Sequence, residues 1–254
     1  MNASTMTASP APDPADLVLP PAFTGLRVPA TDEAFARARA LAEAEAGEAA
    51  GTLVIVERED VLDLAVILAP GEPLASARRA FLLGMVALVD AVGTYGPPEM
   101  PITLIWPGTL MFDGARLGGG RLAWPEDCAE AAVPDWLVFS ATLLVSKAQW
   151  GDPGLTPGST ALDEEGFGPD IRLPLAESFA RNLMKAFAAW EEDGFSGIAA
   201  RYLAHLPAAV GARAGIDGNG DALLERGGAT ERLALVPGLT EPDWHDPATR
   251  TVRL

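Results

Sequence analysis

Asp113-Gly114 sits between two largely apolar runs, Leu110–Phe112 and Ala115–Ala123. An Asp-Gly pair supplies the positive φ angles of a tight turn, so the two runs form an antiparallel hairpin. Further strands are expected at Thr52–Val56, Leu62–Leu68, Ile102–Trp106 and Trp136–Val145, and Leu62–Leu68 is apolar almost throughout, as a central strand should be. Helical spacing of apolar residues appears after Thr31 or Asp32, either of which suits an N-cap, and again over 74–92, 174–192 and Phe195–Leu206. Helices interspersed with hairpin-linked strands describe an α+β protein, a mixed sheet with flanking helices, rather than a doubly wound α/β fold. Residues 1–20, rich in Pro, Ala, Ser and Thr, read as a disordered leader. Residues 21–208 hold the main pattern. After Pro207 two short apolar pieces, Ala222–Leu224 and Leu233–Val236, alternate with glycine-rich turns, so 209–254 reads as a small β-rich C-terminal domain.

Charge narrows the partners. With 35 acidic and 18 basic side chains the net charge is −17, which repels a nucleic-acid backbone and an anionic membrane surface alike. Apolar runs are too short to span a bilayer. No nucleic-acid or membrane partner is therefore expected, and the cytoplasm is the default location. A single cysteine, Cys128, excludes an internal disulfide and a Cys-rich zinc site.

Three segments share an order with a known family: Ile105-Trp106-Pro107-Gly108, then Phe112-Asp113-Gly114-Ala115-Arg116-Leu117-Gly118-Gly119, then Trp136–Val145. They resemble the catalytic domain of biotin and lipoate protein ligases. There a strand ends in Lys-Trp-Pro-Asn-Asp, a hairpin follows, the next strand begins with Lys and runs into a close-packed Gly, and a later strand carries Gly-Ile-x-x-Asn-Val. Ala30–Ala34 resembles that family's helix start, Leu64–Pro70 a strand ending in Leu-x-Pro, and Thr160–Gly166 with Phe179–Phe195 the region after the sheet. The resemblance spans about residues 22–205 and implies the family's fold with a small C-terminal domain.

Departures from the pattern bear on chemistry. The family joins a carboxylate to the α-phosphate of ATP, so its site needs fixed cations and backbone amides where charge develops. The resemblance implies a Gly-Arg-rich loop between the second and third strands. This chain has Glu57-Arg58-Glu59-Asp60 there, without glycine. The Lys of the Trp-Pro motif is Ile105, its Asn-Asp is Gly108-Thr109, the bridging Lys is Arg116, and Ser140–Val145 has no counterpart of the Asn. Standard adenylate formation is therefore expected to be absent, no catalytic residue is assigned, and whether the chain is an enzyme stays open. The expected ligand-binding residues are Arg116, Trp106, Pro107, Gly118 and Gly119. Arginine pairs with carboxylates, and glycines in a strand admit close approach to the backbone. Each also has a plain alternative: a surface Arg beside a hairpin, core tryptophans at Trp106 and Trp136, a bulge at the glycines.

Other candidates are weaker. Cys128 lies among Glu126, Asp127 and Glu130, poor surroundings for a thiolate nucleophile. Asp217-Gly218-Asn219-Gly220-Asp221 starts like a calcium loop but lacks the later Gly and Glu, and so reads as a turn. His245 with Asp243 and Asp246 has no recognised metal spacing and reads as a solvated loop, so no metal is expected. Three functions follow. The first is a ligase-like protein that binds a small carboxylic acid or acyl conjugate without standard ligase activity. The second is a divergent but active biotinyl, lipoyl or octanoyl ligase or transferase, with Arg116 and Arg121 as its cations. The third is a non-catalytic interaction or scaffolding protein, for which a homodimer with Leu110–Phe112 as the contact is one form. ATP and biotin or lipoate would serve only if ligase activity survives; otherwise no cofactor is expected.

Overall fold

The computed structural model describes residues 17–151, 153–207, 213–226, 228–240 and 242–254. A seven-stranded mixed sheet is its frame. The strands are β1 (Thr24–Val28), β2 (Thr52–Val56), β3 (Val61–Leu68), β4 (Ile102–Ile105), β5 (Thr109–Phe112), β6 (Ala115–Ala123) and β7 (Leu137–Leu144), in the order β1-β2-β3-β7-β6-β5-β4. Only β1–β2 is parallel; the other pairs are antiparallel. The expected α+β class, with helices against a mixed sheet, is borne out. β3 lies between β2 and β7, and its uninterrupted burial follows from cover on both faces. The Asp113-Gly114 hairpin joins β5 to β6, with both residues at positive φ.

The two faces carry different helices because alternate residues of each strand point oppositely. One face presents Leu53, Leu62, Leu64, Val66, Phe139 and Leu143 to α3 (Ala80–Tyr95), which is buried along most of its length beneath α4 (Arg172–Asp193) and α5 (Ser196–Ala204). The other presents Val54, Ala65, Ile67 and Val138 to α1 (Ala34–Glu45), whose contact stripe is alanine: Ala34, Ala38 and Ala42. The single helix expected over 74–92 is two, α2 (Leu74–Ala77) and α3, divided at Arg78-Arg79.

Several expectations need correction. Neither Thr31 nor Asp32 caps α1; the Ala34 amide donates to Asp63 Oδ2 of β3 at 3.0 Å, so the cap comes from the sheet. Within the Leu110–Phe112 segment, Leu110 and Phe112 are fully buried inside the chain and Met111 is partly exposed. The leader lies outside the described residues up to 16; Leu17 and Leu19 pack against the core, and the Val18 amide donates to Glu177 Oε1 at 2.9 Å. The expected C-terminal boundary at 209 is likewise outside the described residues. Beyond it β8 (Arg213–Ile216), β9 (Ala222–Arg226) and β10 (Ala229–Leu233) form a three-stranded antiparallel sheet, the small C-terminal unit. Leu233–Val236 is not one strand: β10 ends at Leu233, and Val236–Thr240 is a short helix, α6. A two-residue ladder, β11 (His245–Asp246) with β12 (Thr251–Val252), follows. Among the described residues no helix is long and apolar enough to cross a membrane.

Packing between α3 and the sheet depends on Gly84. A methyl group there would sit 2.5 Å from the Phe139 ring. Gly84→Ala should therefore lower stability by about 1–3 kcal/mol, the usual cost of overpacking. Phe139→Leu should cost less in that background than in the parent, because the two changes share one space. Chemical denaturation of the four proteins checks both expectations, and strict additivity would contradict them.

Candidate functional site

The centre of β6, Gly118-Gly119-Gly120, has no side chains, and both faces use the gap. An added methyl group at Gly120 would meet Met85 Sδ at 2.5 Å on the α3 side. At Gly119 it would meet the Gly108 carbonyl at 2.3 Å and the Trp244 indole at 2.5 Å on the α1 side. Close approach to the glycines is thus real, and what approaches is the chain itself. Trp244 is 1% exposed and its Nε1 donates to the Gly120 carbonyl at 3.3 Å. The strand's irregularity is also present, since the β5 register shifts between Leu110 and Met111 opposite Gly118 and Arg116.

Other expected ligand residues are also engaged by the chain itself. Arg116 Nη1 donates to the Arg253 carbonyl at 3.0 Å. Trp106 is half-buried, stands edge-on to Tyr202 and donates from Nε1 to the Ala234 carbonyl at 3.2 Å. Pro107 packs so closely on α6 that a methyl at Gly238 would lie 2.3 Å from its ring, and its carbonyl accepts from the buried Tyr202 hydroxyl at 2.6 Å. Gly118 is instead closed by β7, with the Thr142 carbonyl 2.0 Å from where a methyl would go. Arg116 and Gly119 are thus covered by the 244–253 segment, while Trp106 and Pro107 meet Tyr202, Ala234 and Gly238 instead. Trp136 is a core residue against α1, its plainer reading.

Beneath that cover lies a polar group which reading the strands had not brought together. Asp63, Thr142 and Gly119 stand in register across β3, β7 and β6, and Ser140 and Arg121 in the next row. Asp63 caps α1, as above, and accepts from Thr142 Oγ1 at 3.4 Å. Arg121 is buried, pairs with Glu33 just before α1 at 2.6 Å, and lies over the Phe35 ring at 4.4 Å. His245, expected in a solvated loop, is only 9% exposed. Five buried polar atoms here have no partner among the described residues: Arg116 Nε, Arg121 Nε, Ser140 Oγ, His245 Nε2 and Thr251 Oγ1. The signal for this group was in the sequence as single polar residues, Asp63 and Arg121, inside otherwise apolar strands.

Arg58 completes the surroundings. Its guanidinium is chelated by Asp60, its carbonyl accepts from Arg172, and its Nη1 reaches the Arg250 carbonyl at 3.5 Å, the outer limit of a hydrogen bond. Arg58 and Arg116 therefore both address the backbone of 250–253, and Arg121 lies near enough to His245 to influence its protonation. Elsewhere, Cys128 is a partly buried free thiol. Asp217 accepts from the Asn219 and Asp221 amides in a turn and pairs with Arg232. Among the described residues no group of His, Cys, Asp and Glu is placed to hold a metal ion.

Burial pushes Asp63 up to about 6, against the opposing pull of the Ala34 amide and Arg121. It pushes His245 down to about 4, aided by Arg121. For Asp63 the unfolded chain loses its proton near 3.8 and the folded protein holds it to about 6, so this group makes stability fall as pH rises through that window. His245 acts oppositely: the unfolded chain takes up its proton first, so stability rises with pH from about 4 to about 6.5. The difference between Asp63→Asn and the parent isolates the carboxyl. Asn keeps an oxygen for the Ala34 amide, and the variant should gain on the parent by roughly 3 kcal/mol between pH 4 and pH 7. Denaturation at several pH values measures the difference, and one that is flat with pH would show that Asp63 titrates as an ordinary carboxylate.

Comparison with known proteins places this geometry. A model of the biotin/lipoate A/B protein ligase family matches residues 19–204. A crystal structure of a biotin protein ligase-like protein of unknown function from Silicibacter sp. TM1040 superposes with a TM-score of 0.76 at 30% identity, over 89% of this chain and 100% of that one. Biotin protein ligase from Aquifex aeolicus in complex with biotin and ATP gives 0.60 at 14% identity, over 83% and 94%. The Leishmania major ligase in complex with biotinyl-5-AMP gives 0.52 at 12%, over 85% and 99%. Among curated proteins none matches. The match to the family model covers most of the chain and falls on the sheet and helices that build the site: the chain belongs to the biotin/lipoate A/B protein ligase family.

Proposed function

We propose that this protein binds a small carboxylic acid or acyl conjugate on the α1 face of its sheet and does not form an acyl-adenylate by the standard route of its family. One observation carries the reading: Arg116, on the strand that lacks side chains at its centre, spends its guanidinium on a neutral carbonyl, that of Arg253, and its Nε has no partner among the described residues. A carboxylate leaving water needs a cation, and Arg116 donates here to a neutral carbonyl rather than to a carboxylate. Family membership supports the ligand class, since the Aquifex protein is complexed with biotin and ATP and the Leishmania protein with biotinyl-5-AMP. Loss of the standard chemistry is supported by the β2–β3 connection. Its one arginine is neutralised by Asp60, glutamates flank it at Glu57 and Glu59, and no glycine offers backbone amides to a phosphate. Ile105, where the family has Lys, is 49% exposed on the edge strand β4.

Arg116 also favours a second reading, a divergent acyl ligase or transferase in which it stabilises phosphate or oxyanion charge and ATP is a substrate. Two measurements separate the readings. Biotin, lipoate and octanoate, each with its adenylate, are titrated while the melting temperature is followed. At about 100-fold excess over Kd at least one should raise it by several degrees. Pyrophosphate exchange with the same acids should be absent; exchange above background would establish the second reading. Arg116→Ala should weaken the acid that binds by roughly 2–5 kcal/mol, as for removal of one partner of a buried charged hydrogen bond. No melting shift with any of these compounds, either for the parent or for a Trp244→Ala variant that uncovers the face, would overturn the carboxylic-acid reading.

A further inference from the structure

We propose that residues 242–254 are a displaceable strap: the segment closes the α1 face by occupying it, and a carboxylic-acid ligand binds by competing with it. This rests on the reading of that face as an acid site.

The strap is held by few contacts, of which the fully buried Trp244 is the chief. Two apolar side chains anchor it, Trp244 and Val252, against Val61, Leu144 and Ala161. Its internal ladder is two residue pairs long. Across to the rest of the protein it makes side-chain bonds: Trp244 to the Gly120 carbonyl, Arg116 to the Arg253 carbonyl, Arg58 to the Arg250 carbonyl and Arg250 to the Thr31 carbonyl. No backbone-to-backbone hydrogen bond joins it to the seven-stranded sheet among the described residues. Removing it unpairs no strand of that sheet.

The closed state is also poorly matched. Five buried polar atoms on the two sides of the contact lack a partner, whereas such atoms are normally paired. Arg250, at the turn of the strap, holds a φ of 53°, a left-handed conformation that costs a side-chain-bearing residue energy. By contrast, one donor facing the strap suits an anion. Arg116 spends a guanidinium N–H on a neutral carbonyl oxygen and has an unpartnered Nε, while Arg58 and Arg121 are already paired with Asp60 and Glu33. A carboxylate is the stronger acceptor for Arg116. The space over Gly119 that the indole fills would receive the apolar body of the same ligand. The strap carbonyls and indole thus stand where the ligand's carboxylate and body would go.

Hydrogen exchange by mass spectrometry on the full chain, with and without biotin, lipoate or octanoate, tests this beside calorimetric titration of the parent and of Trp244→Ala. An acid that binds the parent should speed exchange of the 244–253 amides while slowing that of β6 and β7. Trp244→Ala should bind it roughly tenfold or more tightly, because a larger fraction of molecules is open. Binding to the variant alone would equally support occlusion by the strap. Binding to the parent with strap exchange unchanged or slowed would overturn the strap and leave the acid reading intact. Binding no tighter in the variant would do the same. Binding to neither protein would overturn the acid reading and the competition together. Should Trp244→Ala fail to fold, Val252→Ala, the smaller cut at the other anchor, gives the same comparison.

Discussion

A strand with no side chains at its middle must be filled from outside. Gly118-Gly119-Gly120 lies in the interior of the sheet, between β5 and β7, and a gap there on either face would forfeit the contacts that close packing supplies. On the α3 side the gap takes Met85, Phe81 and the Phe139 ring, and Gly84 clears room for that ring. On the α1 side α1 is too far along the sheet, lying over β2, β3 and β7, and the filling comes from Trp244. Most of the arrangement around the site follows from this. The segment that carries Trp244 must cross β6 and β7, and in crossing it meets Arg116, Arg58 and Thr31.

The polar row beside that gap has its own cause. α1 begins over β3, and a helix start buried against a sheet has amides that need acceptors. Asp63 supplies one from within an apolar strand, which fixes where α1 begins and puts Glu33 beside Arg121. Burial of Asp63, Arg121 and Glu33 is tolerated because each has a bonded partner; a lone charge at that depth would not be. The same burial that raises the Asp63 carboxyl lowers the His245 imidazole, and the two respond to pH in opposite senses.

Much of the frame was legible because its signals are local. The Asp113-Gly114 turn, the apolar runs of β3 and β7 and the helical spacing of α4 each depend on neighbours within a few residues. Legibility failed where a partner is distant. Thr31 and Asp32 have the chemistry of a cap, but Asp63 outcompetes them from another element 29 residues from Ala34. The glycines of β6 announced a close approach without naming the visitor, since Trp244 meets Gly120 across 124 residues. Arg116 was read as a donor for a ligand; in the structure its acceptor is the Arg253 carbonyl, which carries no sequence signature at all. His245 was read as solvated because its flanking aspartates are hydrophilic; they lie outside while the ring turns in.

Because Trp244 belongs to the same molecule as the surface it covers, its rivalry with any visitor does not dilute. A tethered group competes at an effective concentration set by its linker, on the order of millimolar for a short one. On the proposed competition, the apparent affinity for a ligand is its intrinsic affinity reduced by the fraction of molecules that are open: contacts such as that of Arg116 set the first, and the length and stiffness of the connection between α6 and β11 help to set the second.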